Sequence, residues 1–166
     1  MEPLELVGEA IRPKALWAAI GMRPLGVTIV TAQSEEGPSG FLGLSFAHVS
    51  ADPPTVLVSI GRTTGALSAI RRGEAFAVCV LPSGSEAMAK AFGGTATVTE
   101  RFAPYQWDRL VTGAPILTSA AAAFDCRLRT IVDEEQAVVA IGRVVGLRTS
   151  PGRGATIAYG GGYIDL

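Results

Sequence analysis

Between Gly40 and Arg62 the chain reads GFLGLSFAHVSADPPTVLVSIGR, two apolar runs of strand length on either side of Asp52-Pro53-Pro54. Proline has no N–H to give to a sheet ladder, so a strand must end at this corner and another must begin after it. Phe41 to Val49 is expected to be the first strand and Thr55 to Ile60 a second, fully buried one. Ser45, His48 and Ser50 interrupt the first run with small polar groups. Apolar walls carrying a few placed donors are how a pocket for a large, flat, polar-edged ligand is lined. Taken alone, Ser45 and Ser50 read more simply as turn residues bonding their own backbone.

The rest of the chain repeats the strand theme. Pro13 to Met22 has a helical pattern, with proline suited to a first helical position and Leu16, Trp17 and Ile20 on one face; residues 1 to 12 are peripheral. Gly26 to Ala32 is β-branched and buried in character, Gln33 to Gly40 a hairpin loop, and Phe76 to Leu81 another buried strand. Thr63 or Thr64 caps a helix with Leu67 and Ile70 inward and Arg71 and Arg72 at its end. Ser83 and Glu86 have the spacing of a capping box for a helix to Phe92. Gly93 to Leu117 shows little periodicity and reads as a long functional loop. Ala121 to Val132 alternates, with Asp125, Arg127 and Arg129 on the solvent side. Ala137 to Leu147 is a strand with Gly142 as a bulge or close-approach point, and Ala155 to Tyr159 is a last short strand. Six or seven strands, mostly joined as hairpins, with three short helices, are expected. That pattern predicts a mainly β fold, an antiparallel barrel with helical additions, rather than a βαβ sheet.

Composition removes several classes of function. A chain of 166 residues is expected to be a single domain (1–166), and 48% hydrophobic against 17% charged residues is a globular balance. A net charge of −1 gives no electrostatic footprint for nucleic acid, and no apolar run is long enough to span a membrane. The apolar excess points to buried subunit surface. Cys79 and Cys126 lie in strand-like runs without a CxxC, and no signal peptide pattern precedes them, so reduced thiols in a cytoplasmic protein are expected. His48 is the single histidine, which leaves no His-rich metal site and only one possible triad base. Neither a GxGxxG fingerprint, a P-loop nor a GxSxG elbow is present. With so few acids, bases and nucleophiles, the chain is either a binder or an enzyme whose cofactor carries the chemistry.

Ser45 to Ile60, SFAHVSADPPTVLVSI, resembles the S-F-x-S-V-S-x-x-P-P motif of the short-chain flavin reductases, the FMN-binding split-barrel proteins. The likeness continues in order through GVTIVT (26–31), FAVCVL (76–81), Phe92, Arg101-Phe102, GAPIL (113–117), IGRV (141–144) and YGGGY (159–163). The resemblance implies a split barrel, a homodimer, FMN or FAD near the subunit interface, NADH or NADPH as reductant, and a monooxygenase partner that takes the reduced flavin. By position it implies that Leu42, Gly43, Leu44, Ser45 and Phe46 line the isoalloxazine and ribityl chain, with His48, Val49 and Ser50 at the next turn. Gly61, Arg62, Thr63 and Thr64 approach the phosphate, Phe102 packs near the flavin, and Tyr159 lies at the closing motif. On the residues alone, Arg62 also reads as a surface arginine, His48 as a loop histidine, Phe46 and Phe102 as core, and Tyr159 as strand packing. The chain departs from the pattern at Leu42, Leu44, His48 and Gly65, and at Ala137, Gly160 and Gly161, where the family often carries His or Arg. Two other roles fit the same resemblance: a tightly held flavin acting on a corrin or biosynthetic intermediate, and a non-enzymatic flavin or tetrapyrrole binder.

Overall fold

The computed structural model describes residues 5–166. Its largest sheet has seven antiparallel strands. In chain order they are β2 (Thr28–Ser34), β3 (Gly37–Gly43), β4 (Ala47–Ser50), β5 (Thr55–Gly61), β6 (Ala75–Val80), β9 (Ala122–Asp133) and β10 (Ala137–Thr149). Across the sheet the order is β3-β2-β6-β9-β10-β5-β4. The two edge strands, β3 and β4, are therefore neighbours in sequence, and the Leu44–Phe46 link carries the chain from one edge to the other. The sheet curls into a barrel, and this link crosses its seam. Ser59 N donates to Ser45 Oγ at 2.9 Å, tying the link to β5. A second sheet holds β1 (Leu25–Gly26), β11 (Thr156–Tyr159) and β12 (Gly162–Asp165), and a third pairs β7 (Trp107–Asp108) with β8 (Ile116–Leu117).

The central strands are buried on both faces, which is why they read as continuous apolar runs. Val30, Val58, Phe76, Val78 and Ala140 point into the barrel, where α2 (Ala66–Gly73) adds Leu67 and Ile70. Ile29, Ala77 and Cys79 point outward, under Phe92 of α3 (Glu86–Gly93), Phe102 of α4 (Val98–Phe102) and Leu117 of β8. Gly142 is the predicted close-approach point. The β9–β10 register shifts beside it, and a Cβ there would stand 2.6 Å from Phe76 Cζ and 2.9 Å from Cys126 Cβ.

The mainly β, antiparallel split barrel is as expected, but several local readings are corrected. Twelve strands and four α-helices are present among the described residues, because short segments in the apparent loops pair up. The Gln33–Gly40 loop shrinks to a two-residue turn at Glu35-Glu36, and the expected strand Phe41–Val49 is broken at the link. Gly65, not Thr63 or Thr64, is the cap of α2, and no side chain bonds there. Ser83 and Glu86 form no capping box: the Ser83 hydroxyl donates to the Leu166 carbonyl and Glu86 pairs with Lys90. The box occurs instead at Thr97 and Glu100, in the stretch read as aperiodic, and opens α4. Asp125 is fully buried, since the Arg109–Pro115 segment lies over the side of β9 that alternation assigned to solvent. Residues 162–165, outside every predicted strand, complete a hairpin with β11. Helix α1 (Pro13–Ile20) forms as predicted, yet none of its residues is buried. The peripheral reading of residues 1–12 holds from Glu5 onward, and residues 1–4 lie outside the described residues.

Candidate functional site: a two-chamber cleft at the barrel seam

The seam opens into a cleft. One chamber, about 900 Å³, is walled by the Leu42–Ala47 crossing on one side and by α1 and the following turn on the other, where Trp17, Ile20 and Arg23 face it. A second chamber, about 550 Å³, runs from β3 to the start of α2 and is closed by Arg101 and Phe102. Leu42, Ser59 and Gly61 line both, so the two are continuous. Each has the size and mixed lining of a small-molecule site.

Local chemistry shapes each wall. Gly43 lies flat on β2: Thr28 Oγ1 donates to Gly43 O at 2.7 Å, and a Cβ would stand 2.8 Å from that same oxygen, so only glycine fits. Leu44 and Phe46 then turn toward the cleft, Phe46 resting on Phe124 with ring centroids 5.0 Å apart. In the second chamber, Thr63, Thr64 and Gly65 lead into α2 as a turn, with Thr64 N donating to Gly61 O and Leu67 N to Thr64 O. The N-terminal N–H groups of a helix carry partial positive charge and suit an anion. The Thr97–Glu100 box fixes α4. The backbone N–H and hydroxyl of Thr97 hold the Glu100 carboxyl below the usual range. Next in α4, Arg101 donates to Gly40 O at 2.9 Å, Gly94 O at 2.8 Å and Ala91 O at 3.2 Å, clamping β3 to the end of α3. Trp107 Nε1 donates to Phe102 O, and its ring lies 4.7 Å from that of Phe102.

The structure brings Leu42, Leu44, Ser45, Phe46, Gly61, Thr63, Thr64 and Phe102 to the cleft, with Gly43 supporting the wall from behind. Tyr159 lines a smaller cavity of about 210 Å³ that shares Trp17, Ile20, Leu25 and Leu44 with the larger chamber. His48, Val49 and Ser50 do not line it; they sit on the exposed edge strand, where Ser50 Oγ donates to Asp52 O. Arg62 is also turned away. Its Nε donates to Glu134 O at 2.8 Å and its Nη2 pairs with Asp133 at 2.9 Å, across the β9–β10 turn. Residues not singled out as site residues from the sequence also face the cleft, notably Ser39, Ser59, Gly94, Arg23 and Trp17, the last read only as part of a helix face. The Ser39 hydroxyl oxygen is buried with no hydrogen-bond partner among the described residues, a polar group left for a ligand. Among the described residues lining the two chambers, the titratable side chains are Arg101 in the smaller and Arg23 in the larger. The cleft therefore offers cations and hydroxyls but no carboxylate, and it suits an anionic ligand with an apolar body.

Comparison with known proteins agrees with this chemistry. The FMN reductase (NADH) RutF of Bradyrhizobium diazoefficiens is 38% identical over 138 residues, covering 83% of this chain and 77% of that protein. The NADH:FAD oxidoreductase SgcE6 of Streptomyces globisporus superposes with a TM-score of 0.90 at 28% identity, covering 99% of each chain, and has also been solved with NAD and FAD fragments. A nitrilotriacetate monooxygenase component B homologue from Mycobacterium thermoresistibile gives a TM-score of 0.87 at 30% identity, covering 96% of this chain and 89% of that one. The flavin reductase like domain model matches residues 21–165, which takes in the whole cleft except Trp17 and Ile20, and the chain belongs to that family.

Proposed function

We propose that this chain is an NADH-dependent flavin reductase that binds FMN or FAD in the seam cleft and passes reduced flavin to a monooxygenase. The observation that carries the reading is the continuity of the two chambers through Leu42, Ser59 and Gly61. A flavin is a flat ring joined by a flexible chain to a phosphate, and the cleft is a broad apolar chamber leading to a hydroxyl-lined one. The residues present fit the group: the unpartnered Ser39 hydroxyl, the Thr63 and Thr64 hydroxyls and the first N–H groups of α2 converge on the phosphate end. Leu42, Leu44 and Phe46 take one face of the ring and exclude water from it. Ser45, fixed by Ser59, holds the crossing in place beside the polar edge. Arg62 takes no direct part and braces the β9–β10 turn next to Gly61. The bound flavin supplies the two-electron acceptor for the hydride of a reduced nicotinamide. The chain itself supplies orientation and a dry wall, and the step needs no protein acid or base.

The same reading treats residues 1–166 as one flavin-binding domain working as a homodimer in the cytoplasm. Support for the dimer is the bare outer face of β5 and β10. Leu57, Val139 and Ile141 lie there with Val132, which is 47% exposed, and the buried Arg143 Nε has no partner among the described residues. Both cysteines are free thiols, which suits a reducing compartment. The likeness to a monooxygenase component supports the proposed partner.

The test is spectroscopic. The purified protein is titrated with FMN and FAD, and NADH or NADPH is then added without oxygen. Saturable flavin binding and bleaching of the flavin band by NADH are expected, with flavin that exchanges freely. Absence of flavin-dependent oxidation with either nucleotide would overturn the proposal.

A further inference from the structure

The smaller chamber is roomier than the phosphate of a mononucleotide requires. A flavin with its ring against Leu44 and Phe46 enters it past Ser59 and Gly61, and its first phosphate meets Thr63, Thr64 and the start of α2. A phosphate takes the space of a few water molecules, at about 30 Å³ each, whereas the chamber measures about 550 Å³. Most of that space lies beyond the first phosphate, toward the corner where α3 ends and α4 begins.

Two features of that corner specify what fills it. The first is a second anion-holding group. The first phosphate is met by α2, but Arg101 comes from α4. Three of its N–H groups are spent on the carbonyls of Gly40, Ala91 and Gly94, which fixes the guanidinium plane. The others remain, and the charge pairs with no carboxylate among the described residues. The second feature is an uncharged recess beside this guanidinium. Val98 lies one helical turn before Arg101 and is 49% exposed. Gly93 and Gly94 present bare backbone next to it, and a Cβ at Gly93 would stand 2.8 Å from Leu42 Cδ2, so that wall stays bare. A flat heterocycle can lie against such a surface, with the guanidinium at its edge or face.

We infer that the chain takes FAD in preference to FMN: the start of α2 holds the first phosphate, Arg101 holds the second, and the adenine lies in the recess of Gly93, Gly94 and Val98. This rests on the flavin-binding reading and names the flavin. FMN leaves Arg101 without an anion and the recess filled only with water. FAD supplies a group for each.

The experiment titrates FMN, FAD and riboflavin into the wild-type protein and into V98E and V98A, with ADP as competitor. Val98 is the first residue of α4, where an acidic side chain suits the helix, so V98E is expected to fold, and V98A serves if it does not. The wild type should bind FAD about tenfold or more tighter than FMN, the usual contribution of one stacked base. ADP should displace FAD and leave riboflavin bound, because riboflavin occupies only the ring chamber. V98E sets a carboxylate beside the second phosphate and should bring the FAD-to-FMN affinity ratio to about one, while V98A lowers it part of the way. Equal affinity for the two flavins in the wild type, or tighter FMN, overturns the inference. So does an unchanged ratio in the folded variants, ADP that fails to displace FAD, or ADP that displaces riboflavin. If the protein binds no flavin, the reductase reading fails by itself, and ADP still decides the recess: binding that V98E weakens upholds it, and no binding overturns it.

Discussion

Among the described residues the Ser45–Ser59 contact is the side-chain hydrogen bond that fastens the crossing link to the far side of the seam, and its removal gives a graded prediction. In S45A, Ser59 N–H loses its 2.9 Å acceptor; the return contact, Ser45 Oγ to Ser59 O, is 3.4 Å and counts for nothing. A neutral hydrogen bond contributes about 0.5–1.5 kcal/mol net, and at this exposed position water replaces the acceptor, so the lower half of that range applies. If the contact holds the crossing in its binding shape, that energy is withdrawn from the complex, and flavin Kd rises by about two- to fivefold. Titration of flavin fluorescence against wild type, S45A and S45T measures it, with urea unfolding of the ligand-free proteins in parallel. S45T keeps the hydroxyl and is expected to bind as the wild type does. Wild-type affinity in S45A would refute the argument, and so would equal weakening in S45T, which would make the side chain's shape rather than its oxygen responsible.

Other perturbations test the scaffold. G142A drives a methyl to within 2.6 Å of buried Phe76, and overpacking of this kind is expected to cost about 1–3 kcal/mol or more in chemical denaturation. Asp125 Oδ2 accepts from Val111 N at 2.6 Å and from Thr112 N at 2.8 Å, and Oδ1 accepts from the Thr112 hydroxyl; D125N can keep its carbonyl oxygen on the two backbone N–H groups but removes the charge and turns an NH2 toward the hydroxyl, and should lose about 1–3 kcal/mol of stability while leaving flavin Kd of the folded protein unchanged. Burial pushes the Cys79 and Cys126 thiols from 9.0 up to about 12, so both should resist thiol reagents in the native state at pH 8 and react once unfolded in urea. Because the folded state keeps these protons longer than the unfolded one, their contribution to stability is complete below pH about 9 and is lost as pH rises toward about 12; a urea midpoint that does not fall over this window would contradict it.

Much of the barrel was legible because its strands carry their own signals. The β-branched runs 28–32 and 55–60, the proline corner after Asp52 and the glycine at 142 all report local constraints, and each is found where the pattern puts it. What failed to read was set at long range. Asp125 alternates like a solvent residue, but its partners lie 13 and 14 residues away in a segment without periodicity. Two capping-box spacings occur close together, and only tertiary context chooses between them: Ser83 is drawn off by the Leu166 carbonyl, whereas Thr97 has no competing partner among the described residues and closes the box with Glu100. The site divides in the same way. Of the three polar groups that suggested a pocket in the apolar run, Ser45 faces the cleft while His48 and Ser50 stay on the edge strand; the resemblance pointed to Gly61–Thr64 as well, but the direction of Arg62 depends on Asp133, 71 positions later. Trp17 was visible as one face of an amphipathic helix. The pattern cannot tell a face that meets the core from a face that meets a cleft.

The topology explains why the cleft lies where it does. In a fully closed barrel every strand edge is paired, and the interior is packed with side chains. Here the edge strands β3 and β4 are consecutive, so the chain must cross the opening in the three residues Leu44–Phe46, too few to add a strand of their own. The backbone at the opening is then left beside β5, held there among the described residues by the Ser59 N to Ser45 Oγ hydrogen bond, and the space on either side becomes the two chambers. A ligand that spans both chambers lies along this link and supplies contacts that the missing strand pairing would have made. Binding should therefore stabilise the seam more than the rest of the barrel, and hydrogen exchange should slow at residues 42–47 and 59–65 when flavin is bound while β6 and β9 change little.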